Sequence, residues 1–420
     1  VTELIRRFGD IVRFRMGPRV YHLVNHPDYI GHVLRDRQQN YQKGIGLMQA
    51  KAILGNGLLT SDGDLWLHQR RLMQPAFHSQ RIAELTPIIT KVVSSFLDRW
   101  EGARTSGAPL DVSAEMTRLT LRVLGETLFR MDVAERADEV ADAFAVVADD
   151  AIRRMAAIVP WPRSLPTSRN LRLRRAHRTL DTFVAGIIEH RRRESREGGD
   201  LLSRLMVEGG PRGSSIMTDR QLRDELMTML LAGHETTASA LTWTWYLLSR
   251  YPHAEREVSL EVARVLAGRL PAFEDCARLT FTRMVIEESL RLYPPVWLIP
   301  RQAVSDDAIG GFRIPAGSGV LISPFAVHRH PIFWDNPEGF DPDRFAPGRA
   351  ERRPAYAYLP FGAGHRSCIG SGFGMLESQL VVAMTVQRYR LDLVAGASVE
   401  PEAVLTLRPR AGLPMTVHLS

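Results

Sequence analysis

Lysine is nearly missing from this 420-residue chain. Of 54 basic residues only Lys43, Lys51 and Lys91 are lysines, so arginine carries the net charge of +7. Such a bias fits a GC-rich bacterial genome better than a nucleic-acid site, since no DNA or RNA recognition motif accompanies it. The expected use of the basic surface is an acidic protein partner. Cysteine is as scarce: Cys276 and Cys368 lie far apart, which excludes a disulfide framework and suits a reducing cytoplasm. Clustered Cys/His spacing is absent too, leaving zinc as the weaker metal reading. No apolar run reaches the roughly 18 residues of a membrane span, with Ser239–Leu248 coming nearest. The chain begins at Val1 rather than methionine, so an upstream anchor or targeting segment stays open. Repeats and low-complexity blocks are missing, and 45% hydrophobic with 24% charged residues is the composition of a globular protein with a large core.

What is present converges on one stretch. Phe361-Gly-Ala-Gly-His-Arg-Ser-Cys-Ile-Gly370 surrounds the one plausible thiolate ligand with glycines at 362, 364 and 370. Glycines there allow bulged turns and close approach to a flat ligand. The residues after Cys368 turn helical in pattern, so the sulfur is expected near a helix N-terminus, where unpaired N–H groups favour a thiolate. Arg366 can reach an anionic cofactor edge, such as a haem propionate, through charge-assisted hydrogen bonds. A lone cysteine is ordinarily a small buried hydrophobe. Yet Phe-x-x-Gly-x-Arg-x-Cys-x-Gly should arise by accident in far fewer than about one in a thousand chains of this size.

Along the chain, Asp10–Met16 and Val20–Val24 alternate with period two around a Gly-Pro-Arg turn and predict a hairpin, and a short helix opens at Pro27. Residues 40–60, with Leu47, Met48, Ile53 and Leu54 among glycines, read as an apolar loop that either covers a ligand or simply packs. Asp64–Pro75 reads as a helix with Trp66 and Arg70 on one face. Residues 81–200 are helical by pattern, broken at Ser106-Gly-Ala-Pro and at Val159-Pro-Trp-Pro-Arg-Ser-Leu-Pro. Their arginines, Arg172 to Arg178 and Arg191 to Arg193, read as solvated faces. Gly198-Gly-Asp and Gly209-Gly-Pro-Arg-Gly are loops.

Thr218-Asp-Arg-Gln opens the longest predicted helix, running to about Arg250, with a capping box. Its middle, Leu231-Ala-Gly-His-Glu-Thr-Thr237, gives up stability. Gly233 costs about 1 kcal/mol against alanine, and Thr236 can bond back to the Ala232 carbonyl. Close packing and room for a ligand both account for that. Glu288 and Arg291 can pair on one helix. Tyr293–Arg301 reads as an extended apolar strand whose Val296, Trp297 and Leu298 are pocket candidates, and Ile309–Ile322 and Val404–Leu419 read as further strand.

In this order the motifs resemble the cytochrome P450 family over nearly the whole chain: Trp66/Arg70, Ala232–Thr236, Glu288/Arg291, Arg344 and Phe361–Gly370. The resemblance implies a single mainly helical domain over 1–420, with a small β-rich portion near 10–25, 296–325 and 404–419. Cys368 would be the axial thiolate of haem b (iron protoporphyrin IX), with Phe361, Gly364 and Gly370 shaping its loop. Trp66, Arg70, Arg301 and Arg366 would meet the propionates, and Ala232 and Gly233 would pass beside the iron. Thr236 would hold the activated oxygen and a water, while Glu235 fed protons from solvent. Glu288, Arg291 and Arg344 would form a structural network behind the cysteine loop.

The implied reaction inserts one oxygen atom of O2 into a hydrophobic small molecule, a terpenoid, fatty acid or polyketide, by hydroxylation or epoxidation. No flavin or iron–sulfur motif is visible, so electrons would come from a ferredoxin and its reductase, or an equivalent flavoprotein, docking on Arg70, Arg71 and Arg366. A peroxide-driven hydroxylase, a haem-thiolate isomerase and a non-enzymatic haem sensor are the alternatives. The acid–alcohol pair Glu235–Thr236 speaks against the first two, which do not need it.

Overall fold

The computed structural model describes residues 2–156, 162–193, 201–207 and 217–420. It is organised around the helix Asp219–Arg250, whose 32 residues extend about 48 Å. Thr218 caps it as expected: the Gln221 N–H donates to Thr218 Oγ1 at 3.3 Å, and the Thr218 N–H donates to Gln221 Oε1 at 2.9 Å. From Asp224 to Trp245 every residue is buried except Ala232, Gly233, Glu235 and Thr236. A helix enclosed on all sides belongs in the middle of a large core. The four half-buried residues therefore form a window in it.

Among the helices packed on this one are Val112–Leu124, Ser168–Arg193, Thr280–Leu292 and Ser371–Val386. The first approaches closely at Gly233, where a Cβ would lie 2.7 Å from Leu124 Cδ1, and Thr120 Oγ1 donates to the His234 carbonyl at 3.0 Å. Gly233 thus makes room for a neighbouring helix, the close packing that its sequence position allows. Gly374, six residues beyond Cys368, would place a Cβ 3.8 Å from Thr237 Oγ1. The helix that follows the cysteine loop and the window of the central helix are neighbours.

Among the described residues, twelve short strands are present: β1 (Ile11–Met16), β2 (Arg19–Val24), β3 (Tyr41–Lys43), β4 (Leu110–Asp111), β5 (Ile299–Ala303), β6 (Asp307–Ile309), β7 (Phe312–Ile314), β8 (Gly319–Ile322), β9 (Tyr389–Leu393), β10 (Pro401–Ala403), β11 (Leu407–Pro409) and β12 (Pro414–Leu419). The main sheet has the order β1-β2-β8-β5-β3, with only β2 and β8 parallel. It packs its own smaller core around Val24, Ile30, Val320 and Ile322, separate from the large helical one. Antiparallel pairing sets Lys43 directly opposite Arg301.

The expected hairpin, the Pro27 helix and the strands after residue 309 are all present. Residues 45–54 differ: they form a helix, Ile45–Leu54, not a loop. Glycine explains the misreading, because Gly44 and Gly55 sit at the two caps, the latter at φ +74°, and do not interrupt the helix. Residues 293–298 are not strand either. Pro294 and Pro295 have no N–H for a ladder, and pairing starts only at Ile299. β3, β4, β9 and β10 lie outside the expected β-rich segments. Of the second predicted break, 159–161 lie outside the described residues, as do the loops 198–200 and 209–213. No helix among the described residues is long and apolar enough to cross a membrane.

Candidate active site

The cysteine loop is built by two left-handed glycines, Gly362 at φ +67° and Gly364 at φ +69°. At 364 no other residue fits, because a Cβ there would lie 1.9 Å from the Leu34 carbonyl oxygen. The loop closes where the Cys368 N–H donates to the Phe361 carbonyl at 2.8 Å, and Phe361 packs on the helical core. The helix begins three residues later at Ser371. Gly370 has φ −91° and ample space, the nearest atom to an added Cβ being 3.8 Å away. Its backbone does not demand glycine; its N–H faces the Cys368 sulfur.

Cys368 is accessible by surface area, yet protein surrounds it densely enough that burial pushes its thiol pKa up, against the Gly370 N–H and the Arg70 charge. Both observations hold if the sulfur lines an internal cleft, reachable by small molecules but enclosed on most sides. The Arg70 guanidinium donates to the Ser367 carbonyl at 2.9 Å, next to the cysteine. Trp66 is buried, stacked on His365 at 6.5 Å between ring centroids, with the Arg366 guanidinium 5.7 Å from its ring.

Beside this loop, cations outnumber anions. Arg366 pairs with Asp62 at 2.6 Å and donates to the Tyr41 carbonyl at 3.1 Å. Arg301 is buried, and the hydrogen bond the described residues offer it is to the neighbouring Pro300 carbonyl at 3.0 Å. Burial and the Arg366 charge push its pKa down to about 10. Opposite it, Lys43 donates through Nζ to the carbonyls of Leu58 (2.7 Å) and Ser61 (2.5 Å). Burial holds its pKa down to about 7, with Asp62 opposing and Arg366 and Arg301 adding to the shift. A small cavity lined by Leu34, Tyr41, Arg301, Ala363 and Arg366 opens here. Asp62 pairs with Arg366, and Arg301 makes no ion pair among the described residues, so positive charge is left that a buried site must neutralise. A dianionic ligand edge fits that deficit.

The window of the central helix carries the acid and the alcohol. Thr236 Oγ1 donates to the Ala232 carbonyl at 2.6 Å, as expected from its position, and Thr237 Oγ1 to that of Gly233 at 3.0 Å. Glu235 points away from its own helix: burial raises its pKa, while a hydrogen bond from Thr406 Oγ1 at 3.0 Å and the Arg408 charge lower it. His234 takes different partners, buried against Phe144 with its Nδ1 on the Leu230 carbonyl. Burial drives its pKa down to about 4. It is neutral and structural.

Behind the loop lies the Glu288 network. Glu288 and Arg291 are fully buried and form a two-pronged pair at 2.6 and 2.8 Å. The other Arg291 donors reach the carbonyls of His328 (2.9 Å), Pro337 (2.6 Å) and Gly339 (2.8 Å), which uses all five N–H groups. Glu288 also accepts the Asp341 N–H at 2.9 Å and lies 3.3 Å from Arg344. The tie to the cysteine loop is His328, whose Nε2 accepts the Leu359 N–H at 2.9 Å. Of the pocket candidates, Val296 is exposed, while Trp297 and Leu298 are half-buried. Trp297 Nε1 donates to the Val404 carbonyl at 2.9 Å.

The cytochrome P450 family model matches residues 1–413. The chain is a cytochrome P450. Among its relatives, cyclooctatin synthase of Streptomyces melanosporofaciens is 39% identical over 95% of this chain and 86% of its own length. Cyclooctat-9-en-7-ol 5-monooxygenase of the same organism is 38% identical over 93% of this chain and 84% of its own length. A crystal structure of the cytochrome P450DA heme domain superposes with a TM-score of 0.91 at 26% identity, covering all of this chain and 92% of that one. The P450 is accordingly a haem-thiolate monooxygenase that uses O2, a hydrophobic substrate and a redox partner.

Three residues at this P450 site escaped sequence reasoning: Lys43, Asp62 and Thr406. For Lys43 a signal existed. In a chain that uses arginine almost everywhere, a lysine is an exception, and here its compact ammonium caps two carbonyls at once. Thr406 had no local signal, since its partner is 171 positions away.

Proposed function

We propose that residues 1–420 form one P450 domain that oxidises a carbocyclic terpenoid in the cytoplasm, holding haem b on the Cys368 thiolate. The observation that carries the reading is the enclosed yet accessible Cys368 sulfur beside a buried cluster with too few anions. Arg301 and Arg366, with Arg70 and Trp66 at the loop, are the groups that would hold the propionates. When bound, the haem supplies O2 activation with two electrons and two protons, converting R–H to R–OH and releasing water.

The chain's own residues supply the protons and the enclosure. Glu235, whose pKa burial raises, gives a proton towards the window, and Thr236 relays it through its hydroxyl, exchanging its bond to the Ala232 carbonyl for one to oxygen or water. Trp297 and Leu298 supply apolar wall. The substrate class is suggested by the relative named for cyclooctat-9-en-7-ol, a carbocyclic alcohol. Electrons come from an acidic ferredoxin and its reductase, for which the exposed Arg71 is the docking cation. Arg70 and Arg366 are turned inward to Ser367 and Asp62, which narrows the expected docking set.

The test begins with the absorbance of the dithionite-reduced protein under carbon monoxide. A strongly red-shifted band, lost in Cys368→Ser, is expected; a band typical of histidine ligation would reject Cys368. Spectral titration with cyclooctat-9-en-7-ol, palmitate and a macrolactone then separates the substrate classes. Tighter binding of palmitate or the macrolactone would overturn the terpenoid reading and leave the haem site standing.

A further inference from the structure

The acid of the pair is held by a residue far away in sequence, and that contact carries a role of its own. A glutamate in mid-helix has three rotatable side-chain bonds and loses rotamer freedom when fixed. Glu235 finds its partner on the turn between β10 and β11, where Thr406 Oγ1 donates to Oε1 at 3.0 Å.

That turn is clamped on two sides. The Leu407 carbonyl accepts from Ser239 Oγ at 2.5 Å and Trp243 Nε1 at 2.8 Å, one and two turns further along the helix that carries Glu235. On the other side, the Leu407 N–H donates to the Pro295 carbonyl at 3.0 Å and Trp297 Nε1 to the Val404 carbonyl at 2.9 Å. The Val404 N–H closes the turn on the Thr406 carbonyl at 3.1 Å. Thr406 itself is buried. Its hydroxyl is therefore a donor of fixed position and direction.

We propose that Thr406 is a positioning residue for proton delivery: its hydroxyl engages Oε1 of Glu235, aims the carboxyl at the window beside Thr236, and leaves Oε2 to carry the transferable proton. This rests on the reading of Glu235 as the proton donor. Proton balance is simple, since Glu235 loses one proton to the site and regains one from solvent while Thr406 keeps its own. Arg408, exposed and 3.4 Å from Glu402, is the other charge acting on Glu235. His234 next door is turned to Phe144 and the Leu230 carbonyl instead.

The experiment compares wild type, Thr406→Val, Thr406→Ser and Glu235→Gln as haem-loaded proteins with two readouts. The first is the infrared carboxyl band lost in Glu235→Gln, titrated against pH. A donated hydrogen bond favours the carboxylate, so Thr406→Val should raise the midpoint by about one pH unit, tenfold in proton affinity, and Thr406→Ser should restore it. The second is the share of consumed O2 released as hydrogen peroxide rather than water, with no substrate added and a surrogate ferredoxin–reductase pair. It should rise about twofold or more in Thr406→Val and Glu235→Gln and return in Thr406→Ser. An altered share in Glu235→Gln with midpoint and share unchanged in Thr406→Val overturns the role of Thr406 and spares Glu235. An unchanged share in Glu235→Gln overturns both. Thr406→Ala serves the same arms should the valine variant misfold.

Discussion

Two buried charge clusters flank the cysteine loop, and they are built on opposite rules. Around Glu288 every donor of Arg291 has an acceptor, the carboxylate is shared with Arg344 and the Asp341 N–H, and all three side chains are almost wholly enclosed. Around Lys43, Arg301 and Arg366, Asp62 pairs with Arg366 while Arg301 has no ion pair among the described residues, and burial pulls the pKa of both Lys43 and Arg301 down. A cluster whose central guanidinium has every donor satisfied holds shape, even with Arg344 Nε left without a hydrogen bond. An unsaturated one waits for charge from outside the chain, which is why the first reads as scaffold and the second as a ligand site.

Breaking the saturated cluster should have the largest effect. Glu288→Gln leaves two buried guanidinium groups without their carboxylate, so unfolding by denaturant should show a loss of about 3–5 kcal/mol, with little holoprotein surviving. If the variant is as stable as wild type, the scaffold assignment is wrong. Arg301→Leu should do the reverse: the fold keeps its stability, while haem transfer to apomyoglobin accelerates about 10- to 100-fold, the worth of a charge-assisted hydrogen bond of about 1.5–3 kcal/mol. Unchanged transfer kinetics would remove Arg301 from the propionate site.

A smaller, pH-dependent effect belongs to the edge of the unsaturated cluster. Glu225, on the central helix, accepts the Leu58 N–H at 2.9 Å while Lys43 caps the carbonyl of the same residue at 2.7 Å. Burial raises the Glu225 pKa from 4.5 to about 7. A raised folded-state value means that its contribution to stability is complete below the unfolded value and is lost as pH rises through about 7. Glu225→Gln keeps the acceptor and removes the titration. The stability difference between wild type and variant should therefore change by on the order of 1–3 kcal/mol between pH 4.5 and 7, and a difference independent of pH would refute the assignment. The smallest effect is kinetic: Arg71→Glu should slow reduction by an acidic ferredoxin a few-fold, less so at high salt, with the fold untouched.

Much of the site was legible without coordinates because its motifs are local. Cys368 with its flanking glycines, the Thr236–Ala232 bond and the Glu288–Arg291 pair all join residues within one loop or one turn of helix, where spacing alone fixes the neighbour. The capping box at Thr218 belongs to the same class. Glycine misled in one place. Gly44 and Gly55 cap a helix that composition presented as loop, while the close packing open to Gly233 is met by Leu124, a residue over a hundred positions away.

By itself, then, the sequence determined the long helix, the glycine-built cysteine loop and the family, since each rests on contacts within a few residues. Only the tertiary structure decided where charge is left over and what aims the acid. Lys43 meets Arg301 through strand pairing, Asp62 meets Arg366 across a fold, and Thr406 reaches Glu235 from a turn near the far end of the chain. The physical reason is the same in each case: a buried charge or hydroxyl is defined by the partner it finds, and no periodicity in the chain encodes a partner that only packing brings near.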